Sequence, residues 1–165
     1  MRIRRADLDR ILAHAREGYP FEVCGVLAGS EASAGLVSRV VPVANCETAE
    51  RRVRYQIAPE DLIRIQREET AAGREIVGYY HSHPDHPARP SETDRRIAAD
   101  GLSDGVLHMV IGVEGGVDTT PSAWIFREAT QAFEAEALEI EATEIHHKDT
   151  NDPQPTRERE KEGWE

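Results

Sequence analysis

Residues Val106 to Val113 form a continuous apolar run. At eight residues it is too short for a typical buried helix and fits a strand covered on both faces, which places it at the centre of a sheet. Other segments of the chain have the complementary patterns. Val23–Gly29 is a second short apolar run bounded by turn residues and reads as a buried strand. Leu36 to Val43 is a valine-rich strand, Val53 to Ile57 alternates like a strand, and Glu75 to His81 and Ser122 to Phe126 are extended. Helical spacing marks Arg5 to Gly18, closed by Gly18 and Pro20. Pro59 at a first-turn position opens a helix to Ala72, and Ser91-Glu92-Thr93-Asp94 opens another that ends near Gly101. In 128–144, Phe133, Ala135 and Ala137 alternate like a strand while alanine and glutamate favour a helix, so the segment stays open between the two. Strands and helices in broken alternation give an α/β (α+β) domain, a mixed sheet with helices packed on it.

With 165 residues the chain is expected to hold one domain, residues 1–142. Residues 143–165 lose apolar side chains, carry charges with Pro153 and Pro155, and are expected to form a disordered tail. A formal net charge of −11 argues against nucleic acid or an anionic membrane as partner. The N-terminus has no signal-peptide pattern, and no stretch approaches the ~20 apolar residues of a membrane span. The two cysteines, Cys24 and Cys46, make no disulfide framework, so a cytoplasmic protein with reduced thiols is expected. The oligomeric state is left open.

The chemistry concentrates in Tyr80-His81-Ser82-His83-Pro84 and Ser91-Glu92-Thr93-Asp94, with seven residues, 84 to 90, between His83 and Ser91. Side chains two apart on a strand face the same side, so His81 and His83 at a strand end converge on one point. A loop then turns the chain back, and Asp94, in the first turn of the next helix, can point to the same place. Two imidazoles and a carboxylate are three ligands, which suits a zinc ion with one position open for water. Such an ion lowers the pKa of that water and polarises a carbonyl. Glu22, just before the apolar strand, is the candidate to take and return the proton.

Glu22-Val23-Cys24-Gly25-Val26-Leu27-Ala28-Gly29, then His81-Ser82-His83-Pro84, then Ser91-x-x-Asp94, resembles the signature of the JAMM (MPN+) zinc metalloproteases. The similarity covers residues 1 to about 127, since the element order also matches. The resemblance implies a curved mixed β-sheet flanked by helices, related to the cytidine-deaminase architecture. It implies Zn²⁺ held by His81, His83 and Asp94, Glu22 as general base and acid, and Ser91 as a hydrogen-bond donor to the oxyanion. It further implies hydrolysis of a peptide or isopeptide bond after the Gly-Gly C-terminus of a ubiquitin-like or sulfur-carrier protein. The segments after Asn45 and after Val113 are too short for the insertions of the eukaryotic deubiquitinating members, so the chain resembles the small prokaryotic ones.

Plainer roles compete at several positions. Ser91-x-x-Asp94 also fits a capping box, and Asp94 a first-turn acid favoured by the helix dipole. His86 reads as a solvent-facing loop residue, His108 as a satisfied core or edge histidine, and Cys24 as a small buried side chain. Trp124 reads as core, and Trp164, His146 and His147 as tail. Two alternatives to the peptidase are a non-catalytic MPN scaffold that binds partner proteins and a zinc hydrolase of another bond. The full ligand set weighs against the first. The lack of a Cys-x-x-Cys weighs against a deaminase.

Overall fold

The computed structural model describes residues 1–30, 36–101 and 104–142. The elements run β1 (Arg2–Arg4), α1 (Arg5–Gly18), β2 (Cys24–Gly29), β3 (Leu36–Val37), β4 (Arg39–Val43), α2 (Pro59–Ala71), β5 (Glu75–Pro84), α3 (Glu92–Asp100), β6 (Leu107–Glu114), β7 (Asp118–Arg127), β8 (Ala132–Glu136) and β9 (Glu139–Glu141). Six strands form the main sheet in the order β4-β2-β5-β6-β7-β8, and β3-β1-β9 form a small second sheet. Within the main sheet only β5 and β6 are parallel. A parallel pair needs a crossover, and the chain between them carries α3. The architecture is the mixed α+β sheet that the sequence implies.

Alternation along the strands divides the core. Leu8, Ile11 and Ala15 of α1 pack with Leu27, Val40, Tyr80, Met109, Ile111, Val113 and Ala123. The intervening side chains face the other way, where Ile65 of α2 packs with Val26 and Val43. The apolar run Val106–Val113 is central as expected, with β6 buried from Leu107 to Val113.

Several boundaries differ from the sequence expectations. Val53 to Ile57 is not a strand of either sheet. The Asn45 side chain takes up one edge of this segment, donating to the Arg54 carbonyl and accepting from the Gln56 N–H, each at 3.0 Å. The expected single strand over 36–43 breaks at Ser38, so that β3 joins the small sheet and β4 the large one. β5 continues to Pro84, which puts both histidines inside the strand, and β7 spans Asp118–Arg127 rather than 122–126. Of the open segment 128–144, the described residues 128–142 hold β8 and β9, because β7 and β1 offer partners that outweigh alanine's helix propensity. β1 has no signal in the sequence; it is three residues long and exists through its partners. Trp124 is half-buried rather than core, and its Nε1 donates to Ser122 Oγ at 2.7 Å. Trp164, His146, His147 and the expected disordered tail lie outside the described residues. Among the described residues no helix is long and apolar enough to cross a membrane.

Candidate metal centre

His81 and His83 leave β5 on the face that α2 and α3 cover, and both are buried. Their Nε2 atoms lie 3.0 Å apart. Asp94 completes the group, with Oδ1 3.5 Å from His81 Nε2 and Oδ2 3.5 Å from His83 Nε2. Tetrahedral ligands about 2.0–2.1 Å from a zinc ion lie roughly 3.3 Å from one another, so the observed spacings fit such an ion.

The donor chemistry fits as well. His83 Nδ1 is 3.1 Å from the Pro87 carbonyl, which accepts its proton and leaves the Nε2 lone pair facing His81 and Asp94. Two imidazole nitrogens and a carboxylate oxygen thus converge in a buried site. Among the described residues no arginine or lysine pairs with Asp94, so a cation between the three would supply the missing charge.

Asp94 is aimed by the start of α3. Its Oδ2 accepts hydrogen bonds from the Ser91 N–H and hydroxyl, each at 2.6 Å, and the Ser91 Oγ accepts from the Asp94 N–H at 3.1 Å. This is the capping box that the sequence offered as the plainer role of Ser91. The Ser91 hydroxyl proton is therefore engaged with Asp94 in this structure.

Glu22 arrives from the loop before β2. Register brings it there: Cys24 pairs with His81, and one step further Ser82 Oγ accepts from the Val23 N–H at 2.9 Å while the Ser82 N–H donates to the Val23 carbonyl. The Glu22 N–H donates to the Arg51 carbonyl at 2.7 Å, and Asn45 Nδ2 donates to the Glu22 carbonyl at 3.0 Å. Its side chain is 5% exposed, with Oε1 4.0 Å from His83 Nε2.

The electrostatics separate these groups. Burial pushes the Glu22 carboxyl up to about 8; His83 opposes that shift and Asp94 adds to it. Burial would also raise Asp94, but hydrogen bonds with His81 and His83 hold it well below the usual carboxylate range. Burial lowers His81 despite its contact with Asp94. In His83 burial is outweighed by Asp94 and Glu22, and the imidazole is raised.

Two cavities flank the group. One, of about 670 Å³, is lined by Glu22, His83, His86, Arg89 and Ser91. The other, of about 620 Å³, lies on the Asp94 side against Tyr55, Ile57, Tyr79, Ile97 and His108. Val53, Arg54 and Thr93 line both, so the two adjoin in one groove, with His83 lining the first arm and Asp94 the second. His86 is exposed in its loop, as expected, and Cys24 is buried; His108 is buried but not satisfied, since its Nε2 meets no hydrogen-bond partner among the described residues.

Sequence reasoning missed three supports. Tyr55 stacks on His81 with ring centroids 4.6 Å apart, Ser82 ties Glu22's neighbour to β5, and Asn45 holds the Glu22 carbonyl. Ser82 stood inside the motif and could have been singled out. Tyr55 and Asn45 carry no local signal.

Comparison with known proteins agrees with this geometry. The model of prokaryotic homologs of the JAB domain matches residues 4–133. The chain is 41% identical over 133 residues to a desampylase from Haloferax volcanii, covering 76% of this chain and 91% of that protein. It is 37% identical over 104 residues to the CysO-cysteine peptidase of Mycobacterium tuberculosis, covering 62% of this chain and 69% of the relative. A JAB1/MPN domain protein from Archaeoglobus fulgidus shares the fold at a TM-score of 0.54 and 21% identity, over 85% of this chain and 98% of that one.

Proposed function

The chain belongs to the family of prokaryotic homologs of the JAB domain, and from that premise we propose that it is a zinc-dependent peptidase or isopeptidase. Its substrate is a peptide or isopeptide bond that follows the Gly-Gly C-terminus of a ubiquitin-like or sulfur-carrier protein. The observation that carries this reading is the convergence of His81, His83 and Asp94 with the Glu22 carboxylate 4.0 Å from His83. The names of two relatives, a desampylase and a CysO-cysteine peptidase, support the choice of substrate class.

His81, His83 and Asp94 would hold the ion. Zinc, when bound, supplies Lewis acidity toward the substrate carbonyl and acidity to a water in its open position. Glu22 takes a proton from the attacking water and passes it to the leaving nitrogen. Its burial favours the protonated form, so it can hold the proton between the two transfers. Ser91 lines the Glu22 side of the groove. By turning its hydroxyl from Asp94 Oδ2 it would donate to the oxyanion.

The acyl side is the extended segment around Tyr55. Asn45 and Cys46 bond one edge of it, at Arg54 and Gln56. The backbone groups of Tyr55 and Ile57 make no hydrogen bond to the described residues, and the segment lines the Asp94-side cavity. A C-terminal tail can add there as a strand. The free thiols of Cys24 and Cys46 support a reducing, cytoplasmic setting.

Elemental analysis combined with a cleavage assay tests the reading. About one zinc per chain is expected in the wild type and none in His83→Ala. Linear fusions of ubiquitin-like and sulfur-carrier proteins to a reporter through Gly-Gly should be cut after the second glycine by the wild type alone. Zinc binding without cleavage of any fusion would redirect the site to another amide. A wild type that takes up no zinc on reconstitution would leave a scaffold.

A further inference from the structure

We propose that Asp85 is a positioning residue that keeps Glu22 in place beside His83, an inference that rests on the role given to Glu22 above. Asp85 follows Pro84 at the end of β5, two residues after His83, and lies in the left-handed region with φ of 57°. Few residues other than glycine adopt this conformation, and aspartate is among those that tolerate it. Its N–H donates to the Val113 carbonyl at 2.7 Å, which pins the turn to the end of β6.

The carboxylate reaches three further segments. Oδ1 accepts from the Gly115 N–H at 3.0 Å, in the β6–β7 turn. Oδ2 accepts from the Tyr19 hydroxyl at 3.0 Å and lies 4.0 Å from Arg52 Nη2. Tyr19 is three residues before Glu22. Arg52 follows Arg51, whose carbonyl accepts the Glu22 N–H. One carboxylate thus joins the strand end that bears His83 to the segment that leads into Glu22 and to the segment whose Arg51 carbonyl accepts the Glu22 N–H. Gly116 belongs to the same arrangement, since a Cβ there would lie 2.9 Å from the Tyr19 ring.

Asn45 and the Val23–Ser82 pair hold Glu22 independently of Asp85. Loss of the clamp therefore displaces Glu22 rather than freeing it, and the metal ligands stay in place. Small displacements of this kind reach the rate of the chemical step more than binding.

The test compares Asp85→Gly, Asp85→Asn and Tyr19→Phe in the full chain loaded with zinc, using a Gly-Gly reporter fusion. Glycine suits the positive φ and removes the carboxylate. Asparagine keeps an acceptor for Gly115 and offers its amide to the Tyr19 oxygen. Asp85→Gly should lower kcat about tenfold with KM and zinc content unchanged. Tyr19→Phe should lower it less, and Asp85→Asn should stay near the wild type. Independently of turnover, amide exchange at Glu22 and Gly115 should quicken about tenfold in Asp85→Gly, while Tyr80 and Val110 keep their protection. A kcat within about twofold of wild type, or unchanged exchange at Glu22, overturns the proposal. So does an equal loss of kcat and zinc in the glycine and asparagine variants, which would mark a general structural role. If the wild type cuts no fusion, the functional reading fails by itself, and amide exchange alone decides the clamp.

Discussion

The two faces of the main sheet are built from the same strands and have opposite characters. Toward α1 the strands present Leu27, Tyr80, Met109, Ile111 and Val113, closed by Leu8, Ile11 and Ala15. Toward α2 and α3 the next residues along are Tyr79, His81, His83 and His108, with Asp94 contributed by α3 and a groove above them. A strand's two-residue period lets one segment supply apolar burial on one side and ligands on the other. Tyr80 brings a polar group into the α1 side, and His14 Nδ1 meets its hydroxyl at 2.8 Å. The site is thus carried on central strands whose positions are set by packing on the opposite face, which holds ligands more closely than a loop can.

The sharpest way to break the comparison is one substitution on each face. Glu22→Gln should cost turnover about 10²- to 10⁴-fold while zinc content is retained. Its melting temperature should not fall, because the amide removes a buried carboxyl. Retained turnover would remove Glu22 from the proton-transfer role. Ile111→Ala, on the α1 face, should do the reverse. It should cost about 2–5 kcal/mol in denaturant unfolding, with zinc content and kcat unchanged at temperatures where the protein stays folded. A loss of zinc in that variant, without unfolding, would show that the two faces are not separable.

The smaller effect is a pH dependence confined to the site face. Glu22 has a folded-state value of about 8 against an ordinary 4.5, so the folded, metal-free protein binds its proton more tightly than the unfolded chain. That contribution is complete below about pH 4.5 and is lost as the pH rises toward 8, with a limiting slope of about 1.4 kcal/mol per pH unit. His83, also raised, acts in the same direction. Urea unfolding of metal-free protein should therefore show stability falling across this range, with a shallower fall in Glu22→Gln. Saturating zinc should oppose the trend, since its ligands must shed protons to bind. Equal slopes in the wild type and Glu22→Gln would mean that Glu22 is not desolvated as its burial implies.

Much of the site was legible because its spacing is local. His81 and His83 share a face by strand parity. Asp94 follows Ser91 by a helical turn, and the cap that aims it forms from those two residues alone. The elements α1, α2, α3, β2 and β6 were likewise readable from period and punctuation. The misreading at Val53–Ile57 and the segment left open at 128–144 both fall where partners decide. Val53–Ile57 has a strand's pattern but belongs to neither sheet: Asn45 and Cys46 hold one of its edges, and the other pairs with no described strand. The 128–144 segment has a helix former's composition, but within it Ala132–Glu136 and Glu139–Glu141 become strands beside β7 and β1.

By itself, then, the sequence determined α1, α2, α3, β2 and β6, the spacing that brings the candidate ligands His81, His83 and Asp94 together, and the residue set from which a proton-transferring carboxylate could come. Tertiary structure alone decided that Glu22 stands 4.0 Å from His83, that Tyr55 stacks on His81, and that Asp85 joins the two loops. The reason is physical. Parity and helical turns act over two to four residues and are written in spacing. The contact between Glu22 and His83 depends instead on the pairing of β2 with β5, which is set by which faces must be buried.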